Sequence, residues 1–178
     1  MIGYLITIPF QVVRLTEVEK NSNPYKGDEI LIFKSNKSET DTIKLGKVSV
    51  EIHPPDMNSM FFSRNTQVLR IYSKVRGCGT CYLLSYETKI KSPEATVYFD
   101  VFLSGKRYSH SFSFSELSKL REHRITVNGR KYNDVKFLDR KYKKFDKQHI
   151  DRIYWSNSKG IIRIDVDKNY FWELVKRE

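Results

Sequence analysis

Apolar and polar residues alternate with a period of two along most of this chain, the spacing that puts successive side chains on opposite faces of a strand. In EILIFKS, residues 29 to 35, Leu31 and Phe33 share one face and Ile30, Ile32 and Lys34 the other. Residues 42 to 53 give one or two short strands with Val48, Val50 and Ile52 on one face, stopped by His53-Pro54-Pro55, since proline donates no ladder hydrogen bond. QVLRIYS alternates Val68, Arg70 and Tyr72 with Leu69 and Ile71. After the cysteines, Tyr82, Leu84, Tyr86, Thr88 and Ile90 fall on one side. Residues 95 to 114 read as a hairpin turning at Ser104-Gly105-Lys106, and Asn128-Gly129 marks another, a dipeptide suited to positive φ at both turn positions. Three closing strands, HIDRIYWS, GIIRIDV and YFWELV, form a meander.

Helical spacing is confined to residues 114 to 123, where Leu117 and Leu120 share a face and Ser115 can cap a short helix near 115–123. Residues 15 to 28 are polar, carry Pro24 and Gly27, and read as a loop. The expected architecture is mainly β: an antiparallel sheet forming a barrel, half-barrel or sandwich with one short helix. Its 178 residues suffice for a single domain over 1–178, with 1–28 as a loosely attached N-terminal segment.

The formal net charge of +11 allows an anionic ligand, an acidic protein, nucleic acid or an anionic membrane surface, without choosing among them. No stretch approaches the roughly eighteen apolar residues of a membrane helix. MIGYLITIPF reads as a first strand: it is short, has no basic lead-in and shows no clear cleavage site.

The candidate chemistry starts with Cys78 and Cys81, the two cysteines of RGCGTCYLL. A turn holding a small disulfide loop or two free thiols fits best; a redox centre would want a helix after the first cysteine, and a zinc site four ligands. Asp165-Val166-Asp167-Lys168-Asn169 opens like a calcium loop, but Tyr170 stands where glycine is needed and Lys176 where a carboxylate is needed. KFLDRKYKKFDK, residues 136 to 147, interleaves cations with Phe137, Tyr142 and Phe145. Lys141, Lys143 and Lys144 there are the candidate anion-binding residues, on a stretch that would suit single-stranded nucleic acid. Tyr98, Phe102, Tyr108 and Phe112 are candidates to line a pocket, although ordinary core packing explains any one of them. His110 lies on an aromatic strand face and reads as a packed histidine, and His123 closes the helix, where a cation is favoured. No nucleophile-and-base, phosphate-loop or metalloprotease motif occurs, so no catalytic, metal or cofactor residue is assigned.

Two stretches carry a resemblance. YKGDEILIFKSNKSETDTI, with Gly27, Asp28, Leu31, Ile32, Phe33, Ser35, Asp41, Thr42 and Ile43, resembles an early segment of uncharacterised β-rich lipoproteins of Bacteroidetes. ITVNGRKYNDVKFL and IDRIYWSNSKGIIRIDVDKNYFWELV are similar to the closing region of the same proteins. Together they cover under half the chain. The resemblance implies an exported, envelope-associated protein, and with it an oxidised Cys78–Cys81 pair; it carries no site residues. The chain departs from it in having no recognisable signal peptide or lipobox cysteine near its start.

The expected function is therefore a non-catalytic, envelope-associated β protein that binds a ligand or protein partner, anionic in character and without a cofactor. The alternatives are a cytosolic nucleic-acid-binding protein, an immunity- or inhibitor-type protein, and a hydrolase whose residues converge from distant strands.

Overall fold

The computed structural model describes residues 12–54, 65–74, 81–89, 92–139 and 150–178. The elements are β1 (Val12–Val13), α1 (Glu17–Asn21), β2 (Ile30–Ser35), β3 (Thr40–His53), β4 (Asn65–Lys74), β5 (Cys81–Lys89), β6 (Ser92–Leu103) and β7 (Lys106–Ser113). After them come α2 (Phe114–Lys119), β8 (His123–Val127), β9 (Arg130–Asp139), β10 (Arg152–Ser156), β11 (Gly160–Asp167) and β12 (Tyr170–Arg177).

The strands form one sheet in the order β7-β6-β5-β4-β3-β2-β12-β11-β10-β9-β8, with β1 pairing β4 off that path. Along the path each strand pairs antiparallel with its chain neighbour, except that β12 pairs with β2. The meander thus runs outward from a seam between its first long strand and its last. The path ends at β7 and β8, which are consecutive in the chain and joined by α2. The sheet is large, antiparallel and not closed, with α2 linking its two edge strands; of the expected architectures this fits a half-barrel or sandwich rather than a closed barrel.

Curling is what builds the core. Phe99 on β6 and Trp155 on β10 are second and ninth in strand order, yet their rings meet edge-on at 5.2 Å. Phe33, Tyr86, Phe99, Tyr108, Trp155 and Trp172 are all nearly inaccessible, so large rings fill the concave side. Burying each contributes roughly 1.5–3 kcal/mol.

The structure departs from the sequence expectations in four places. Residues 15–28 are more than a loop: Thr16 and Glu19 form a reciprocal capping box that starts α1. This segment is tied down. Leu15 and Tyr25 belong to the core, the Leu15 N–H donates to Gln67 Oε1, and buried Glu19 accepts from the Ala95 N–H at 2.9 Å. α2 starts one residue before the expected cap, because Ser113 rather than Ser115 makes the capping box with Glu116. It ends at Lys119, and His123 opens β8 instead of closing the helix. In β5 a bulge pairs Tyr72 with Tyr82 while Ile71 pairs with Leu84. The extra residue turns Tyr82 out of the face it shares by alternation with Leu84 and Tyr86.

The hairpin signals are accurate. Asn128 and Gly129 have φ of 46° and 73°, and Val127 pairs with Arg130 across them. Among the described residues no helix is long and apolar enough to cross a membrane.

Candidate functional site

β9 and β12 run past the β10–β11 turn at one end of the curled sheet, and the chain before β2 folds over the same end. The result is a cleft of about 770 Å³ walled by residues 24–29, the start of β9, residues 158–159 and the end of β12.

Tyr25 and Arg177 hold the walls together. Tyr25 is buried, lies edge-on to Trp155 at 6.2 Å, and its hydroxyl oxygen accepts the Ile161 N–H at 2.9 Å. Burial pushes the Tyr25 phenol well up, so it stays neutral. The ring fits only because residue 160 is glycine: a Cβ there would lie 2.3 Å from the Tyr25 oxygen, and φ is +78°. Above the ring, at 5.3 Å, lies the Arg177 guanidinium. It donates to Glu29 through Nε (3.0 Å) and Nη2 (2.5 Å), to the Pro24 carbonyl (2.7 Å) and to the Lys159 carbonyl (3.0 Å). One side chain thereby ties together three of the segments around the cleft.

The remaining charges are unevenly matched. Glu29 also accepts the Lys26 N–H, and Glu178 pairs with Lys176. Asp134 accepts from the Ser156 hydroxyl and the Ser158 N–H, both at 2.8 Å. Burial pushes the Asp134 carboxyl up, but the bonds from Ser156 and Ser158 outweigh it and hold it below its ordinary value. Every carboxylate of the cleft is therefore engaged. Lys26, Arg130, Lys131 and Lys159 line it as well, and none has a side-chain partner among the described residues. Among the described residues Asp134 is met only by neutral donors and stays ionised, so it offsets part of this charge. With five cations against three carboxylates, the lining keeps a modest positive excess on a concave space, an arrangement that attracts anions.

A second concentration of cations shows the opposite condition. On the outer face of β8 to β12, His123 stacks on Phe137 with centroids 4.3 Å apart, and Phe137 meets Tyr154 edge-on. Arg152 lies over Phe137 (5.0 Å) and bonds Asp139 (2.5 Å). Arg163 lies over Phe171 (3.8 Å) and bonds Asp165 (2.6 Å) and Glu173 (2.9 Å). Both arginines of this ladder are consumed by carboxylates and rings.

The residues singled out by sequence go to different places. Lys141, Lys143 and Lys144 lie outside the described residues. At the start of that run, Lys136 points inward, and its Nζ donates to the Leu117 carbonyl (3.0 Å) and the Ser118 carbonyl (3.3 Å). It caps the C-terminus of α2 rather than meeting a phosphate. Cys81 is buried and disulfide-bonded, and Cys78 lies outside the described residues. The four pocket candidates divide between two faces. Tyr108 and Phe112 are core residues, Phe112 edge-on to Phe99 at 5.9 Å, and Tyr108 also borders a separate pocket of about 420 Å³ with Lys37, Glu39 and Lys106. Tyr98 and Phe102 stand on the outer face, where Tyr98 borders a shallow pocket of about 290 Å³. The cleft has no contiguous sequence signal, because its walls come from four separated segments.

Outer-face residues of β3 and β4 form one further cluster. Glu51 accepts from Tyr72 (2.5 Å) and Ser49 (2.7 Å), with His53 Nε2 at 3.2 Å and Arg70 Nη1 at 3.4 Å. The bonds from Tyr72, Ser49 and His53 lower its pKa to about 2. A carboxylate so stabilised is a poor proton acceptor near neutral pH, so this is a structural node rather than a general base. Among the described residues no group of three His, Cys, Asp or Glu could hold a metal ion.

The chain matches no family model, no curated protein and no solved structure.

Proposed function

We propose that this protein is a non-catalytic β module that binds an anionic ligand in the cleft between β9 and β12. The observation that carries the reading is the charge accounting: the cleft's carboxylates are engaged by protein donors, while Lys26, Arg130, Lys131 and Lys159 are not. A volume of about 770 Å³ is within the ordinary range for small-ligand sites, roughly 300–1,000 Å³. Tyr25 and Arg177 pre-organise the walls, so the ordering cost of binding falls on the free side chains of Lys26, Arg130, Lys131 and Lys159 rather than on the backbone. The resemblance to exported β-rich lipoproteins and the disulfide at Cys81 support action in an oxidising, envelope-associated compartment.

Calorimetric titration with tripolyphosphate tests the reading. The expected result is saturable binding that weakens steeply as salt is raised, because released counterions oppose it. A single-stranded oligonucleotide in the same experiment separates the alternatives. If the oligonucleotide binds tightly and tripolyphosphate does not, the nucleic-acid reading replaces this one.

A further inference from the structure

A second site lies on the opposite half of the sheet, where β5, β6 and β7 present their outer face. The bulge in β5 brings Tyr82 there, beside Tyr98 and Asp100 of β6 and Arg107, Ser109 and Ser111 of β7 around a pocket of about 290 Å³.

Its polar groups are built rather than merely adjacent. Asp100 is buried, with a side chain only 6% exposed. Its Oδ1 accepts from Arg107 Nε (2.8 Å) and the Ser109 hydroxyl (2.9 Å), and its Oδ2 accepts from Arg107 Nη2 (2.5 Å). This fork fixes the guanidinium and leaves the Nη1 edge uncommitted. The hydroxyls of Tyr82, Tyr98 and Ser111 have no partner among the described residues. Each ring already carries a cation, Arg70 at 5.4 Å over Tyr82 and Lys89 at 6.0 Å over Tyr98, which restrains both tyrosines.

Charge decides the ligand class. Asp100 and Arg107 cancel and Arg70 is paired with Glu51 and Glu87, which leaves only Lys89 over Tyr98 as a positive charge at the rim, so the pocket favours a neutral ligand over a multiply charged anion. It offers aromatic surface, a guanidinium edge and several free hydroxyls. That combination suits a molecule with polarised C–H groups on one face and a rim of hydroxyls that both donate and accept. C–H groups meet the negative face of a ring favourably, and the rim satisfies groups that an apolar ligand would strand. The volume is at the bottom of the usual ligand range, enough for one ring. We propose that this pocket binds a single neutral pyranose, independently of the anion cleft.

The test is an amide-resolved NMR titration of the intact protein with the methyl glycosides of glucose, galactose, mannose and N-acetylglucosamine. Saturable shifts centred on Tyr82, Tyr98 and Ser111 are expected with at least one of them. Tyr98→Ala should weaken that binding about tenfold or more, and Tyr98→Phe much less, since the ring supplies the contact. Should Tyr98→Ala disturb folding, Arg107→Lys keeps the charge balance but removes the fork, and should weaken binding about fivefold. Lys159→Ala, in the cleft, should leave glycoside binding unchanged. No saturable shift with any glycoside, or shifts that Tyr98→Ala and Arg107→Lys both leave intact, would overturn the proposal without touching the anion cleft.

Discussion

Two cationic regions lie on the β8–β12 half of this molecule, and they are opposites. In the outer-face ladder, Arg152 and Arg163 are held by Asp139, Asp165 and Glu173 and stacked on Phe137, Tyr154 and Phe171. In the cleft, the anions face protein donors, Arg177 is held by Glu29, and Lys26, Arg130, Lys131 and Lys159 face solvent. Both regions contribute to the same net charge of +11. The total therefore identifies no site; the pairing of each charge does. A paired arginine is part of the scaffold, and an unpaired lysine in a concavity is available to a ligand.

The largest expected effect comes from breaking the cleft's frame. Gly160→Ala places a Cβ against the Tyr25 oxygen at a left-handed φ and should cost about 3 kcal/mol, seen as a lower midpoint in denaturant unfolding. Arg163→Ala breaks the ladder instead. It should cost about 1–2 kcal/mol, through Asp165, Glu173 and the Phe171 ring left without their cation, Tyr154 keeping Arg152, and leave tripolyphosphate binding unchanged.

Glu51 gives a smaller, pH-dependent effect away from both regions. Its folded pKa of about 2 lies below the ordinary 4.5, so its stabilisation is present above pH 4.5 and is lost as pH falls towards 2. The side chain is 36% exposed, and solvent screening limits the contribution to about 1 kcal/mol. Glu51→Gln should lower the unfolding midpoint at pH 7 and flatten the loss of stability between pH 4.5 and 2. An unchanged acid profile would show that Tyr72 and Ser49 do not hold the carboxylate. Smallest of all, Lys159→Ala should shift stability by no more than about 0.5 kcal/mol while weakening anion binding, the reverse of the Arg163→Ala pattern.

What could be read from sequence follows from how local each signal is. Strand alternation and the Asn128-Gly129 turn depend on neighbours, and the antiparallel β fold follows from them. The capping boxes Thr16–Glu19 and Ser113–Glu116 are equally local and equally legible, although Pro24 and Gly27 give the first segment the composition of a loop. The β5 bulge is different. It inserts one residue into a regular alternation, and only pairing with β4 reveals that Tyr82 faces outward. The cleft was least legible, since its frame depends on Arg177 meeting Glu29 across 148 positions. The contiguous run at 136–147 stood out because it is contiguous, yet its first member, Lys136, turns inward to cap α2.

The most direct test of the central claim is tripolyphosphate affinity measured side by side in wild type, in Arg130→Ala/Lys131→Ala/Lys159→Ala and in Arg152→Ala/Arg163→Ala. The account predicts that the cleft variant loses at least about tenfold in affinity with its unfolding midpoint unchanged. It predicts that the ladder variant keeps wild-type affinity despite a lower midpoint. Equal losses in the two variants would contradict it, because binding would then track total charge rather than the unpaired cations of the cleft.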